Sequence, residues 1–282
     1  MKKIVVGIDF SECSINALDH ALTLAAKFES DLTMVWVNPD DTKALLSNPK
    51  KADFSHLAKA EFERIVEQNQ SKLPFSTLDY KILDGRIYNK IIEYSEEQEA
   101  GLIVLGTHGT TGFEEFWIGS NASRIVMASN SPVLTIREGC SFNNGPMKIV
   151  MPIDSTMETR QKATFTAVLS EIFDAEIHVL AIHTSSVYNM RRIVDDYVKQ
   201  VVKYFEEENV KYIIENIDAS NIATATIEYS ERVGASLISI MTEQETTTMN
   251  LFLGPYAQQI INHSPIPVLS QPPKEFIRTL SR

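Results

Sequence analysis

The stretch Leu105-Gly106-Thr107-His108-Gly109-Thr110-Thr111-Gly112-Phe113-Glu114-Glu115-Phe116-Trp117-Ile118-Gly119-Ser120-Asn121-Ala122-Ser123 carries the most chemistry in this sequence. A strand is expected to end at Leu105 and a helix to begin at Gly119-Ser120. Gly106 and Gly109 have no Cβ, so their amides can approach an anion closely and adopt positive φ. Gly119 and Ser120 place N–H groups and a hydroxyl at a helix N-terminus, where the dipole favours negative charge. The chemistry implied is the cradling of phosphate. The competing reading is punctuation alone, with Ser120 as an N-cap. The loop lacks the Gly-Lys-Ser/Thr of a Walker A motif. It is not a GxGxxG dinucleotide loop either, and it follows the wrong strand for one.

No catalytic set accompanies it. The six histidines, His20, His56, His108, His178, His183 and His263, form neither HExxH nor a Cys/His metal spacing. Gly-x-Ser-x-Gly, the nucleophile elbow, is absent from the sequence.

The elements that must hold this loop come in two copies. Lys3-Ile4-Val5-Val6-Gly7-Ile8-Asp9 reappears as Lys148-Ile149-Val150-Met151-Pro152-Ile153-Asp154. Ser131-Pro132-Val133-Leu134 corresponds to Ile266-Pro267-Val268-Leu269, Leu102-Ile103 to Leu237-Ile238, and Gly119 to Gly254. Such a repeat is a duplication. Glu138 to Pro146, polar and glycine-containing, reads as the linker between domains 1–140 and 146–282.

In the first copy, Ile4–Ile8, Leu32–Val37, Thr77–Leu83, Leu102–Leu105 and Val133–Ile136 read as strands. Helical spacing appears at Ile15, Leu18, Leu22 and Ala25, from Ala52 to Lys72, from Arg86 to Glu99, and after Gly119. The second copy offers strands near 149–153, 177–182, 211–215, 237–240 and 268–269, with helices near 186–208 and 220–232. Short apolar strands alternating with helices predict an α/β fold, two tandem doubly wound domains of flavodoxin or Rossmann type. Each has a five-stranded parallel sheet. Ligands of such sheets sit beyond the strand carboxyl ends at the topological switch point.

Composition narrows the partners. The 282 residues carry 37 acidic and 26 basic side chains, a formal net charge of −11, which argues against nucleic acid or anionic membranes. An apolar fraction of 44% with 22% charged residues is globular. No apolar run approaches the ~20 residues of a membrane span. Asp9 interrupts the first apolar run too soon for a signal peptide. Cys13 and Cys140 suit a reducing cytoplasm, although one disulfide is compatible with composition. The expectation is a cytoplasmic two-domain protein.

Gly106-x-x-Gly109-(nine residues)-Gly119-Ser120 resembles the G-2x-G-9x-G-[S/T] ATP-binding signature of the universal stress protein family. Val6-Gly7-Ile8-Asp9-Phe10-Ser11, Asp84-Gly85-Arg86 and Ser131-Pro132-Val133-Leu134 match it too, and the resemblance spans the chain as two tandem domains. It implies an α/β sandwich and ATP in domain 1, held with a divalent ion such as magnesium or manganese. By position, Asp9 would lie near ribose, phosphates or the metal, and Val37 would offer main-chain groups to adenine. Gly106, His108, Gly109, Gly119 and Ser120 would hold ribose and phosphates, with Asn121 adjacent. Family domains pair through the last strand. Val133–Ile136 and Val268–Leu269 are therefore expected to form an intrachain pseudo-dimer, with a homodimer of chains also open.

Each residue has a bland alternative. Asp9 can cap the first helix through a turn with Ser11, and its recurrence as Asp154 in a copy without the loop keeps that reading open. His108 can be a solvent-facing loop residue. Glu114 and Glu115 would repel a triphosphate if they faced it, and so are expected to face solvent. Trp36 is expected in the core rather than under a base. The second copy has Met241, Glu243, Gln244 and Pro255 where the first has Gly106, His108, Gly109 and Ser120. Added side chains, a lost amide and a negative charge predict no ATP there. Met249 to Leu253 is a candidate lining for a different ligand, or core. The functional expectation is an ATP-binding stress-response signalling module. The alternatives are a non-nucleotide scaffold, and a slow ATPase or phosphotransferase for which no general base is identified.

Overall fold

A computed structural model describes residues 1, 3–39, 54–107, 118–140, 147–242, 244–247 and 250–273. The first half supplies β1 (Lys3–Gly7), α1 (Glu12–Phe28), β2 (Asp31–Pro39), α2 (Phe54–Asn69), β3 (Leu78–Gly85), α3 (Ile87–Glu97), β4 (Leu102–Gly106), α4 (Ser120–Ala128) and β5 (Val133–Ile136). The second supplies β6 (Lys148–Ile153), α5 (Ala163–Phe173), β7 (Glu176–His183), α6 (Tyr188–Glu207), β8 (Tyr212–Asp218), α7 (Ile222–Val233) and β9 (Leu237–Met241). A hairpin β10 (Gln244–Thr247) and β11 (Asn250–Leu253) follows, then α8 (Pro255–His263) and β12 (Val268–Gln271).

Both halves arrange their five parallel strands in the same order, third, second, first, fourth, fifth, which is the Rossmann rather than the flavodoxin sequence of strands. β1 explains why the interior strands lack alternation: Ile4, Val5 and Val6 are all fully buried, so helices cover both faces. Ile4 and Val6 join the apolar layer beneath α1, while Val5 joins the layer beneath α3 and α4.

The two five-stranded sheets are one ten-stranded sheet. β12 pairs antiparallel with β5, in the register Val268↔Thr135, Leu269↔Leu134 and Ser270↔Val133. The pairing expected of the two last strands is therefore present within one chain. Apolar layers cross the joint, with Leu134, Met147, Leu237 and Leu269 in one cluster and Ile125, Val126, Ile260 and Ile261 in the other.

The second half adds α5, the hairpin β10–β11 and α8 to the expected elements. α5, between Ala163 and Phe173, was missed because its mean hydropathy is high all round, which hides amphipathic spacing. α5 begins only after a 3-10 turn at Met157–Arg160, whereas α1 starts as a regular helix at Glu12 with the Ser11 side chain as its cap. The hairpin β10–β11 was likewise not foreseen; it pairs Gln244↔Leu253 through Thr247↔Asn250. It occupies the place of the glycine loop in the second half, and β11 lies against α4 of the first half. Asn250–Leu253 is thus a hairpin strand. Both cysteines are free thiols.

Candidate functional site

Strand order reverses between β1 and β4 in the first half, the position where a cleft is expected. A cleft of about 400 Å³ lies there, within the ~300–1,000 Å³ range of ligand sites. Asp9 lines it just after β1, Ser14 in the first turn of α1, Val35, Trp36 and Val37 on β2, Gly106 at the end of β4 with Thr107 following, and Gly119, Ser120 and Asn121 at the start of α4. Of the expected site residues, Asp9, Val37, Gly106, Gly119, Ser120 and Asn121 share this cleft. His108 and Gly109 lie outside the described residues, as do Glu114, Glu115, Glu243, Met249 and the linker residues 141–146.

Each wall has a local cause. β1 ends at Gly7, opposite Val35. The Val35 carbonyl accepts from Ile8 N at 2.9 Å. Alternation along a strand then turns the N–H and C=O of Val37 to the same side, past the end of β1. That geometry offers a main-chain donor and acceptor to the cleft, while the Val37 side chain is buried. Trp36 is half-buried, packed against the core and bordering the cleft at once.

The glycines serve different ends. A Cβ on Gly106 would lie 3.0 Å from the backbone C and O of Cys13 and from its Sγ, a closer approach than side chains ordinarily make, so the packing of α1 gives glycine a reason here independent of any ligand. Gly119 is the N-cap of α4, and its N–H is not available to an anion as expected, because it donates to Thr107 O at 2.6 Å. Ser120 is the first helical residue rather than the cap. The first intrahelical bond runs from Ser123 N to Gly119 O at 3.0 Å. The amides of Ser120, Asn121 and Ala122 precede it, and they form the donor set at the dipole's positive end.

Asp9 follows its structural alternative. Its Oδ1 accepts from Ser11 N at 3.0 Å and from Ser11 Oγ at 2.5 Å, and its N donates to Ser14 Oγ at 3.3 Å. Asp154 repeats the pattern with Thr156 N at 2.9 Å, Thr156 Oγ1 at 2.6 Å and Thr159 Oγ1 at 3.3 Å. A turn kept in both halves explains why the aspartate recurs without its loop. Asp9 is exposed where Asp154 is buried, so the first of the two can also meet a ligand. Among the described residues no group of three or more His, Cys, Asp or Glu is arranged to hold a metal. A divalent ion here would have to take most of its oxygens from phosphate and water.

The second half has rebuilt the equivalent region. Met241 is buried, and Pro255 opens α8 without an amide to offer. Lys162, which sequence reasoning passed over, is buried at the N-cap position of α5, its Nζ donating to Thr159 O at 2.6 Å and Thr159 Oγ1 at 3.0 Å. Burial lowers its pKa to about 8, against the opposing pull of Asp154. Gln271 Nε2 reaches Ser239 Oγ at 3.0 Å, and Ser239 Oγ pairs with Thr166 Oγ1 at 2.8 Å. The equivalent positions of the first half hold Ala17, Val104 and Ile136 for Lys162, Ser239 and Gln271. Setting the copies side by side would have exposed that lysine on an otherwise apolar face.

The family model described as universal stress protein family matches residues 1–137 and again 146–270. A universal stress protein of Methanocaldococcus jannaschii is 30% identical over 142 residues, spanning 49% of this chain and 82% of the relative. One of Bacillus subtilis is 26% identical over 145 residues, 48% of this chain and 98% of the relative. A solved universal stress protein structure from Archaeoglobus fulgidus superposes with a TM-score of 0.77 at 14% identity, covering 96% of this chain and 98% of that one, a likeness of fold.

Proposed function

Because this chain belongs to the universal stress protein family as a tandem two-domain member, we propose that its first half binds ATP and acts as a nucleotide-dependent stress-response module. The observation that carries the proposal is the meeting of two complementary surfaces in one cleft. The main chain of Val37 offers the donor and acceptor that an adenine edge needs. Across from it, the Ser120, Asn121 and Ala122 amides offer a helix N-terminus to phosphate. Asp9, exposed between them, is placed to meet ribose or a phosphate-bound magnesium or manganese ion through the oxygen not used by Ser11. The residues fit a nucleotide with its own metal better than a metal held by protein alone.

The chain's own contribution is binding and orientation. The described lining supplies main-chain groups, hydroxyls and one carboxylate already engaged by Ser11, a set suited to holding a ligand. Calorimetric titration of ATP with magnesium into wild type and Ser120→Asp tests the proposal. A carboxylate at that position suits the helix dipole and preserves the fold, yet faces the phosphates. Binding in wild type and its loss in the variant is expected. Absence of binding by nucleotide-free wild type refutes it and leaves a scaffold of the same fold.

A further inference from the structure

The start of α4 is held at two successive amides, and the two anchors come from different halves of the chain. Gly119 N donates to Thr107 O at 2.6 Å within the first half. Ile118 N donates to Asn262 Oδ1 at 3.0 Å, and Asn262 lies next to the last residue of α8 in the second half. Both Ile118 and Asn262 are buried, so this bond is shielded from water. The Arg137 guanidinium, just beyond β5, donates to the carbonyl of the same Asn262. Antiparallel pairing of β5 with β12 brings the end of α8 to the start of α4.

The corresponding pair on the other border differs in its chemistry. The position equivalent to Asn262 in the first half is Met127, whose thioether is a weak acceptor beside a carboxamide oxygen. The position equivalent to Ile118 is Leu253, which ends β11 and is paired with Gln244 of its own hairpin.

We propose that Asn262 is a positioning residue of the first half's site, supplied across the domain joint to fix the Ile118–Gly119 segment so that the amides of Ser120, Asn121 and Ala122 converge on one point. This rests on the nucleotide reading above. The second half thereby completes the site of the first rather than duplicating it.

The test is calorimetric titration of the full chain with ATP plus magnesium and, separately, with adenosine, in wild type and Asn262→Leu. Freed of its buried acceptor, the segment should lose about tenfold in ATP affinity, while adenosine affinity stays unchanged because adenosine carries no phosphate to reach α4. An equal loss for both ligands marks a merely structural residue and overturns the proposal, as does no loss for either. Amide hydrogen exchange in wild type gives a second measurement that needs no variant to fold. The Ile118 amide should be protected before ligand is added, and ATP but not adenosine should slow exchange in α8. An unprotected Ile118, or an α8 indifferent to ATP, overturns the proposal. If wild type binds neither ligand, the nucleotide reading falls and takes this one with it. ATP uptake that ignores Asn262 sinks this inference alone.

Discussion

Gly106 sits beneath the first turn of α1, so close to Cys13 that an added Cβ would lie 3.0 Å from its backbone carbon and oxygen. The backbone cannot yield as a flexible side chain would. Gly106→Ala should therefore destabilise the chain by about 1–3 kcal/mol with no ligand present. Urea unfolding measures this, and an unchanged midpoint would mean that α1 moves aside freely.

The rebuilt second half predicts stoichiometry. With Met241 buried at the position of Gly106 and Pro255 in place of the Ser120 amide, calorimetry should give close to one ATP per chain. Two per chain would refute the loss of the second site.

Lys162 predicts an unusual pH response. Its folded pKa of about 8 lies below the 10.5 of an ordinary lysine, so between these values the unfolded chain binds more protons. Wild-type stability should then rise from pH 8 towards 10.5, as the buried amine loses its charge. Lys162→Met should be more stable than wild type at pH 7, by roughly 1–3 kcal/mol, with the gap narrowing over that window. A gap that stays constant with pH would show that the folded lysine titrates like an unfolded one, so that burial does not lower its pKa.

Histidines work in the opposite pH range. Burial lowers the pKa of both His20 and His178, and His178 Nδ1 pairs with Tyr229 Oη at 2.9 Å. Below the ordinary histidine value of 6.5 the unfolded chain takes up protons that the folded chain resists. Stability should fall as pH drops from about 6.5 towards 5, before most carboxylates protonate. A denaturation midpoint that is flat across this interval would contradict the assignment.

The domain joint predicts how a fragment behaves. Residues 1–140 expressed alone would expose the β5 edge, where Val133, Leu134 and Ile136 are now buried. An unpaired apolar edge recruits a partner strand, and a second copy supplies one in the same antiparallel register. Sedimentation should find a dimer at micromolar concentration. A stable monomer would show that the apolar layers of α8 and α5, not the strand edge, carry the association.

Much of this architecture was legible in the residues. The repeat of Lys3–Asp9 as Lys148–Asp154 announced two halves, and uninterrupted apolar strands announced a covered parallel sheet. The cleft was legible as a set of positions, because Gly119 and Ser120 mark a helix start wherever they follow a strand and a loop. What escaped was context that only packing supplies. Gly106 could be read as making room for phosphate, although a helix backbone already demands that room. Gly119 could be read as a donor, although Thr107 takes its hydrogen. Asn262 carried no local signal, since its partner is 144 residues away and the bond depends on how β5 meets β12.

The antiparallel joint has a geometric consequence. Within the ten-stranded sheet, the five strands of the first half run one way and the five of the second the other, so the carboxyl ends of the two sets face opposite borders of the common sheet. No single small molecule can span both switch points. A pair of identical domains joined this way would look the same from either border. In this chain one border carries the helix start with its N-terminal amides, and the other carries a hairpin and a proline. The molecule thus has a front and a back, and a binding partner can distinguish one from the other by chemistry alone.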